Sequence, residues 1–141
     1  MNARAFLRVA CLLGLLVVSA TTARAEAVVV VAARSPIASL SAAEMADIFL
    51  GRLTRLPDGT RAVPLDLPEG SPLRDEFYER IARMSPVQVK AYWSKLIFTG
   101  RGRPPRSLDT DDAVLRVVRE NPSAIGYIDR RIADASVRIL N

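Results

Sequence analysis

The sequence contains no histidine and only one cysteine, Cys11, in 141 residues. The absence of histidine excludes His-based catalytic triads, histidine-ligated zinc and histidine proton shuttles. A single cysteine excludes a disulfide framework and an all-cysteine metal site. Half of the residues are hydrophobic and 25% are charged, which is typical of a globular protein and not of a disordered one. The length predicts a single domain.

The N-terminal segment has the three parts of a secretory signal peptide. Arg4 and Arg8 make its start basic, an apolar run occupies residues 9–20, and small residues of a cleavage site follow in Ala23-Arg24-Ala25. The apolar run is shorter than the ~20 residues that span a bilayer, so a cleaved signal is favoured over a membrane anchor. We therefore predict a periplasmic protein with no stable membrane insertion after cleavage.

Cleavage after residue 25 changes the charge of the protein. The whole chain carries 20 basic and 15 acidic residues, with a net charge of +5 and a pI near 10.1. The segment 1–25 contains three arginines, Cys11 and no acid, so the predicted domain over 26–141 keeps 17 basic and 15 acidic residues. Its net charge of +2 and its exported location argue against a nucleic-acid partner.

Hydrophobic periodicity and capping signals predict four helices and about four strands. Apolar runs predict strands over 28–33, 62–66, 124–128 and 137–140. The predicted helices begin at Ser41, Ser71, Ser85 and the Asp109–Asp112 segment. This order of elements predicts an α/β sandwich in which helices pack on both faces of the sheet. The order of the strands within the sheet is not predictable from the sequence.

A Gly-Ser pair at a strand-to-helix junction is the strongest candidate site. Gly70 and Ser71 follow the predicted strand and open a helix. Unpaired N–H groups at a helix N-terminus carry partial positive charge and bind anions. Ser71 adds a hydroxyl donor and Arg74 a guanidinium. In the alternative interpretation, Ser71 is only a helix cap and Gly70 only a turn residue, and the nearby acids would repel a phosphate.

Three motifs occur in an order that resembles a known family: Ile48-Phe49-Leu50-Gly51-Arg52, then Gly70-Ser71, then Pro122-Ser123-Ala124-Ile125-Gly126-Tyr127-Ile128. Together they resemble the phosphate-binding proteins of ABC importers, within the type II periplasmic-binding-protein superfamily, over roughly residues 40–130. In that family an anion loop of the form R-x-x-G-S-G-T occupies the middle position. The resemblance implies a single lobe of that fold, phosphate or another oxyanion as ligand, an association with phosphate transport, and neither enzymatic activity nor a cofactor.

The loop departs from the family pattern at three positions, where Leu67, Pro72 and Leu73 replace Arg, Gly and Thr. Pro72 removes a backbone N–H donor and Leu73 removes a hydroxyl. The family's proteins have two lobes that close on the ligand, and this chain has the length of one. The resemblance therefore implies weak anion binding, with a homodimer or another envelope protein as a second lobe. The predicted contacts are Gly70, Ser71, Leu73 and Arg74.

A basic loop and an acidic cluster remain open to two interpretations each. Arg101, Arg103 and Arg106 lie in a Pro-rich extended segment that either docks an anionic partner or is simply solvated. The departures of the anion loop from the family pattern motivate the rival function, a ligand-less interaction module that contacts another envelope protein through this basic loop or through an exposed apolar edge. The aspartates of the 109–112 segment fit helix capping better than a cation site, so no metal is predicted.

Overall fold

The computed structural model describes residues 24–140. Nearly all of the predicted signal peptide lies outside the described residues, so that assignment stays a prediction. Within the described range the strands are β1 (Ala27–Ala32), β2 (Val63–Asp66), β3 (Arg106–Ser107), β4 (Ala124–Asp129) and β5 (Val137–Ile139). The helices are α1 (Ala42–Phe49), α2 (Pro72–Ala82), α3 (Pro86–Phe98) and α4 (Asp111–Glu120), and a 3₁₀ turn spans Arg130–Ile132.

The strands form one mixed sheet in the order β3-β2-β4-β1-β5. β1 is antiparallel to both of its neighbours, β4 and β5, whereas β2 is parallel to β3 and β4. Every residue of β1 and of β4 is buried. The unbroken run of valines in β1 predicts this environment, because a strand covered on both faces shows no alternation of apolar and polar residues.

Helices cover both faces of the sheet, as the sequence predicts. Tyr127 of β4 packs on Phe49 of α1 and Phe77 of α2. Its neighbour Gly126 points to the other face, where the nearest side chains belong to Val114 and Val118 of α4. Since successive strand residues point to opposite faces, α1 and α2 lie on one side and α4 on the other. The fold is therefore a two-faced α/β lobe.

Serine caps start three of the four helices. At α1, the Glu44 carboxylate accepts from the Ser41 N–H at 2.8 Å, and Ser41 Oγ accepts from the Glu44 N–H at 3.2 Å. Ser85 and Gln88 repeat this capping box at α3. The start of α4 differs slightly from the prediction, because Thr110 and not an aspartate caps it. These local bonds satisfy N–H groups that a helix leaves unpaired, which is why the helix starts are predictable.

The structure corrects the sequence prediction in two places. The described range holds five strands where about four were predicted, because the two-residue β3 lies within the segment predicted to be a loop. Ile97 follows Val89 and Trp93 at four-residue spacing, which predicts that it lies on the buried face of α3, but it is 56% exposed at the end of that helix. Between residues 24 and 140, no helix has both the length and the apolar character required to cross a membrane.

Gly126 fixes the distance between the sheet and α4. A Cβ at this position would lie 2.4 Å from Val114 Cγ1. We expect Gly126→Ala to lower the free energy of unfolding by about 2 kcal/mol, because overpacking forces the helix away from the sheet. Urea denaturation measures this. Adding Val114→Ala should recover part of the loss, since the two sites share the same space. An unchanged urea midpoint in Gly126→Ala would contradict this account.

Candidate anion site at the start of helix α2

A buried carboxylate lies where β2 ends and the chain turns into α2. Asp66 is 3% exposed. Its Oδ2 accepts from Arg74 Nε at 3.3 Å and from the Tyr78 hydroxyl at 2.9 Å. Its Oδ1 accepts from the Leu67 N–H at 2.8 Å and from the Tyr127 hydroxyl. We call Asp66, Arg74, Tyr78 and Tyr127 the Asp66 cluster.

The cluster forms because the turn of α2 and the register of the sheet bring its members together. Arg74 and Tyr78 are four residues apart and therefore lie on one face of the helix. β4 is parallel to β2 in the sheet and supplies Tyr127, whose ring stacks on Phe77 at 4.0 Å between centroids. A buried carboxylate requires several donors to replace its water, and four groups supply them here.

Burial and charge act on the titration of the cluster. Burial raises the pKa of the Tyr78 and Tyr127 phenols, and the adjacent Asp66 carboxylate raises it further. Burial alone would lower the pKa of the Arg74 guanidinium, but the charge of Asp66 raises it above its ordinary value. Both phenols therefore stay protonated donors and Arg74 stays cationic.

The start of α2 presents backbone donors to the surface. Gly70 has φ +89°, a value that favours glycine, and its position is open to solvent. Ser71 caps the helix, and its Oγ accepts from the Arg74 N–H at a long 3.4 Å. Leu73 is buried, so its side chain is not available to a ligand. Within residues 24–140, the N–H groups of Gly70 and Leu73 meet no acceptor.

Arg74 is a buried side chain, only 10% exposed, and Asp66 holds it by a single nitrogen. Only Nε of its guanidinium bonds to Asp66, and Cζ lies 5.0 Å from the centroid of the Tyr78 ring. In the described part of the chain its two terminal nitrogens have no acceptor, and neither is sealed from solvent. The cluster thus fixes the guanidinium while leaving N–H donors free.

Three acidic residues lie near this helix start: Glu69, Asp75 and Glu76. The first and the last of them have partners within the protein. Glu69 pairs with Lys90 at 3.0 Å. Glu76 accepts from the Ala27 N–H at 2.9 Å and pairs with Arg80 at 2.9 Å. Their negative charge is therefore partly compensated at the site, as an anion site requires.

The predicted partner-binding arginines lie apart from this site. Arg101, Arg103 and Arg106 are exposed and line a groove at the N-terminal end of β2, with Arg106 itself in β3. Gly70, Ser71, Leu73 and Arg74 lie together beyond its C-terminal end. The structure thus groups each predicted set but keeps the two sets separate.

Sequence reasoning missed Asp66, Tyr78 and Tyr127 as members of the site. A weak signal exists, because Tyr78 follows Arg74 by one helical turn beside the apolar stripe of α2. That Asp66 would be the acceptor depends on the pairing of β2 with β4, which local patterns do not report.

This arrangement of sheet and helices is found in substrate-binding proteins of phosphate ABC transporters. A candidate protein of that class from Clostridium perfringens, in a crystal structure with bound phosphate, matches at a TM-score of 0.67 with 20% identity. The match covers 83% of this chain and 44% of that one. No protein-family model and no curated sequence matches.

Two further solved structures agree with this comparison. An ABC-type phosphate transport receptor from Vibrio cholerae matches at a TM-score of 0.64 with 16% identity, over 83% of this chain and 46% of that one. A candidate phosphate-binding protein from Planctomyces limnophilus matches at 0.60 with 14% identity, over 82% and 40% respectively. The chain thus spans less than half the length of each, and the likeness establishes its fold as a partial, single-lobe form.

The buried ion pair should dominate the stability of this region. Arg74→Met leaves the Asp66 charge buried without its cation, and we expect a loss of about 3 kcal/mol or more in the free energy of unfolding. Asp66→Asn combined with Arg74→Met removes both charges and should regain most of that loss. Urea denaturation of the two single variants and the double variant tests the coupling. Additive effects of the two substitutions would contradict it.

The raised phenol pKa values predict alkaline sensitivity. Unfolded tyrosines ionise near pH 10, whereas Tyr78 and Tyr127 ionise higher in the folded protein. Their stabilisation is therefore complete below about pH 10 and is lost as the pH rises toward the folded pKa. Between about pH 9.5 and 11.5, the free energy of unfolding should fall less steeply in Tyr78→Phe and Tyr127→Phe than in the wild type. Parallel pH profiles would show that neither phenol contributes.

Proposed function

We propose that the protein is a periplasmic, non-enzymatic solute-binding-like protein that binds phosphate or another oxyanion at the start of α2. The observation that carries this proposal is that the first turn of α2 combines backbone N–H groups that have no acceptor within residues 24–140 with a guanidinium that Asp66 holds by one nitrogen. Gly70 and Leu73 offer the N–H groups, and Arg74 offers terminal nitrogens that Asp66 holds in place. Ser71 adds its hydroxyl. Helix dipole, amides and guanidinium all favour an anion at this point.

The affinity should be low. Pro72 supplies no N–H, the site is open on one side, and Asp66 balances the charge of Arg74. A dissociation constant of about 1 mM, equivalent to ~4 kcal/mol, is a reasonable expectation for so few donors. Tighter binding requires a second surface to enclose the ligand and exclude water. A second copy of this chain, or another envelope protein, would supply the missing lobe.

The comparisons support this proposal through the fold and through what the neighbours are. Each neighbour is described as a phosphate-binding or phosphate-transport protein. A role alongside an ABC-type phosphate transporter follows as part of the proposal. The rival, a ligand-less module that contacts another envelope protein, is favoured by the exposed arginines at the other end of β2, and it predicts no anion binding at Ser71.

Calorimetric titration with phosphate, sulfate and arsenate tests the proposal. We expect millimolar binding by the wild type and at least a tenfold loss in Ser71→Ala, because one charge-assisted hydrogen bond disappears. Ser85→Ala is the matched control, since it also removes a Ser-Pro helix cap, here from α3. Ser85→Ala should lower the free energy of unfolding by a similar amount and should leave the affinity for the anion unchanged. Absence of binding heat at about 10 mM of every anion, or equal affinity losses in both variants, would refute the proposal.

A further inference from the structure

A groove with a volume of about 690 Å³ lies at the N-terminal end of β2. It runs between the end of α1, the start of β2, the outer part of α3 and the segment 101–106. We call it the arginine groove, because five arginines line it: Arg52, Arg61, Arg101, Arg103 and Arg106.

Four of the five arginines in the groove have no acidic partner within the described residues. No aspartate or glutamate is among its lining residues. Of the five arginines, only Arg52 has an acidic partner in the described range, the exposed Asp47 at 3.5 Å. The other four make no ion pair and no side-chain hydrogen bond with any residue from 24 to 140. Clustered like charges repel and cost stability, and a bound anion would relieve that repulsion.

The floor of the groove is apolar and aromatic. Tyr92, Trp93 and Leu96 line it from α3, and the Trp93 ring lies close to Gly51 at the end of α1. The Arg52 guanidinium lies 5.5 Å above the Tyr92 ring. Beyond the groove, α3 ends in Phe98, which is 93% exposed. A ligand that fits this surface carries both anionic groups and an apolar side chain.

The shape of one wall favours an extended ligand. The segment from Gly102 to Pro105 has no regular secondary structure, and it leads directly into β3. β3 is an edge strand whose outer side pairs with no strand in the described chain. Extended peptides bind such edges through backbone hydrogen bonds, while pockets take alternate side chains. A small compact anion would use neither the edge nor Phe98.

We propose that the arginine groove is the docking site for an extended acidic segment of a partner protein, with an apolar side chain placed against Tyr92 and Leu96. Arg101, Arg103 and Arg106 pair with the carboxylates of that segment, since the guanidinium fork matches carboxylate geometry. This site lies at the other end of β2 from the oxyanion site and does not depend on it.

Trp93 is the single tryptophan of the chain and lines the groove, so its fluorescence reports occupancy. The probe is a blocked hexapeptide of sequence DEFDEL, with KKFKKL and DESDES as controls for charge and for apolar side chains. We expect saturable binding of DEFDEL alone, weakened at least tenfold when sodium chloride rises from about 50 to 500 mM. Equal binding of all three peptides, or of none, overturns the proposal.

Variants test whether peptide binding depends on the arginines of the groove or only on the net charge of the protein. Arg101→Gln with Arg103→Gln should weaken the peptide at least tenfold. Arg116→Gln with Arg119→Gln removes the same charge from α4 on the other face of the sheet and should change the affinity less than twofold. Ser71→Ala should leave peptide binding unchanged, so failure here and failure of the oxyanion proposal are distinguishable. Equal losses in both arginine pairs, or preferential binding to inorganic phosphate or to anionic phosphatidylglycerol vesicles, would overturn the assignment.

Discussion

The buried carboxylate of Asp66 holds together the part of the fold from which the candidate site is built. It accepts hydrogen bonds from the chain that follows β2, from two residues of α2 and from β4. Removing any one donor leaves a buried negative charge less satisfied, so the elements are fixed relative to one another. The hydrogen bonds to this one carboxylate therefore fix the positions of the α2 N-terminus and of the Arg74 guanidinium.

The pairing of Asp66 with Arg74 also explains why we expect the candidate site to bind an anion weakly. Asp66 orients Arg74, but it balances the same positive charge that an incoming anion would use. The ion pair therefore fixes the position of the guanidinium but reduces its attraction for an anion. The arginine groove shows the opposite arrangement, because its arginines are exposed and four of the five have no carboxylate partner in the described chain. The two surfaces therefore suit ligands of different size.

Much of the fold is predictable, because it depends on local physics. The serine caps mark the starts of three helices and the valine run marks β1. The helices lie where the hydrophobic periodicity predicts them. β3 escaped prediction since Arg106 and Ser107 carry no apolar signal and pair only because β2 lies beside them. Pro64 predicts either an edge strand or the start of a strand. The second alternative fits, because Pro64 is the second residue of the interior strand β2 and precedes the pairing with β3.

The candidate site was predictable only in part. Gly70 and Ser71 are marked by local sequence, whereas the burial of Arg74 is not. Leu73 and Phe77 form the expected apolar stripe of α2, and the adjacent row of Arg74 and Tyr78 is buried as well because Asp66 accepts its polar ends. Contacts between residues 61 positions apart, such as Asp66 and Tyr127, arise from strand order, which no short pattern encodes.

The position of β1 in the sheet has a consequence for the order of folding. Along the described chain, this first strand lies between β4 and β5, the last two strands in sequence order. Its four consecutive valines therefore have no partner strand until residues 124–139 have been synthesised, although α2 already contacts β1. Pairing between residues so far apart in sequence is slow. Until it occurs, the apolar strand is exposed with its backbone hydrogen-bonding groups unpaired. A folding intermediate that lacks β5 should therefore aggregate more readily than the complete fold.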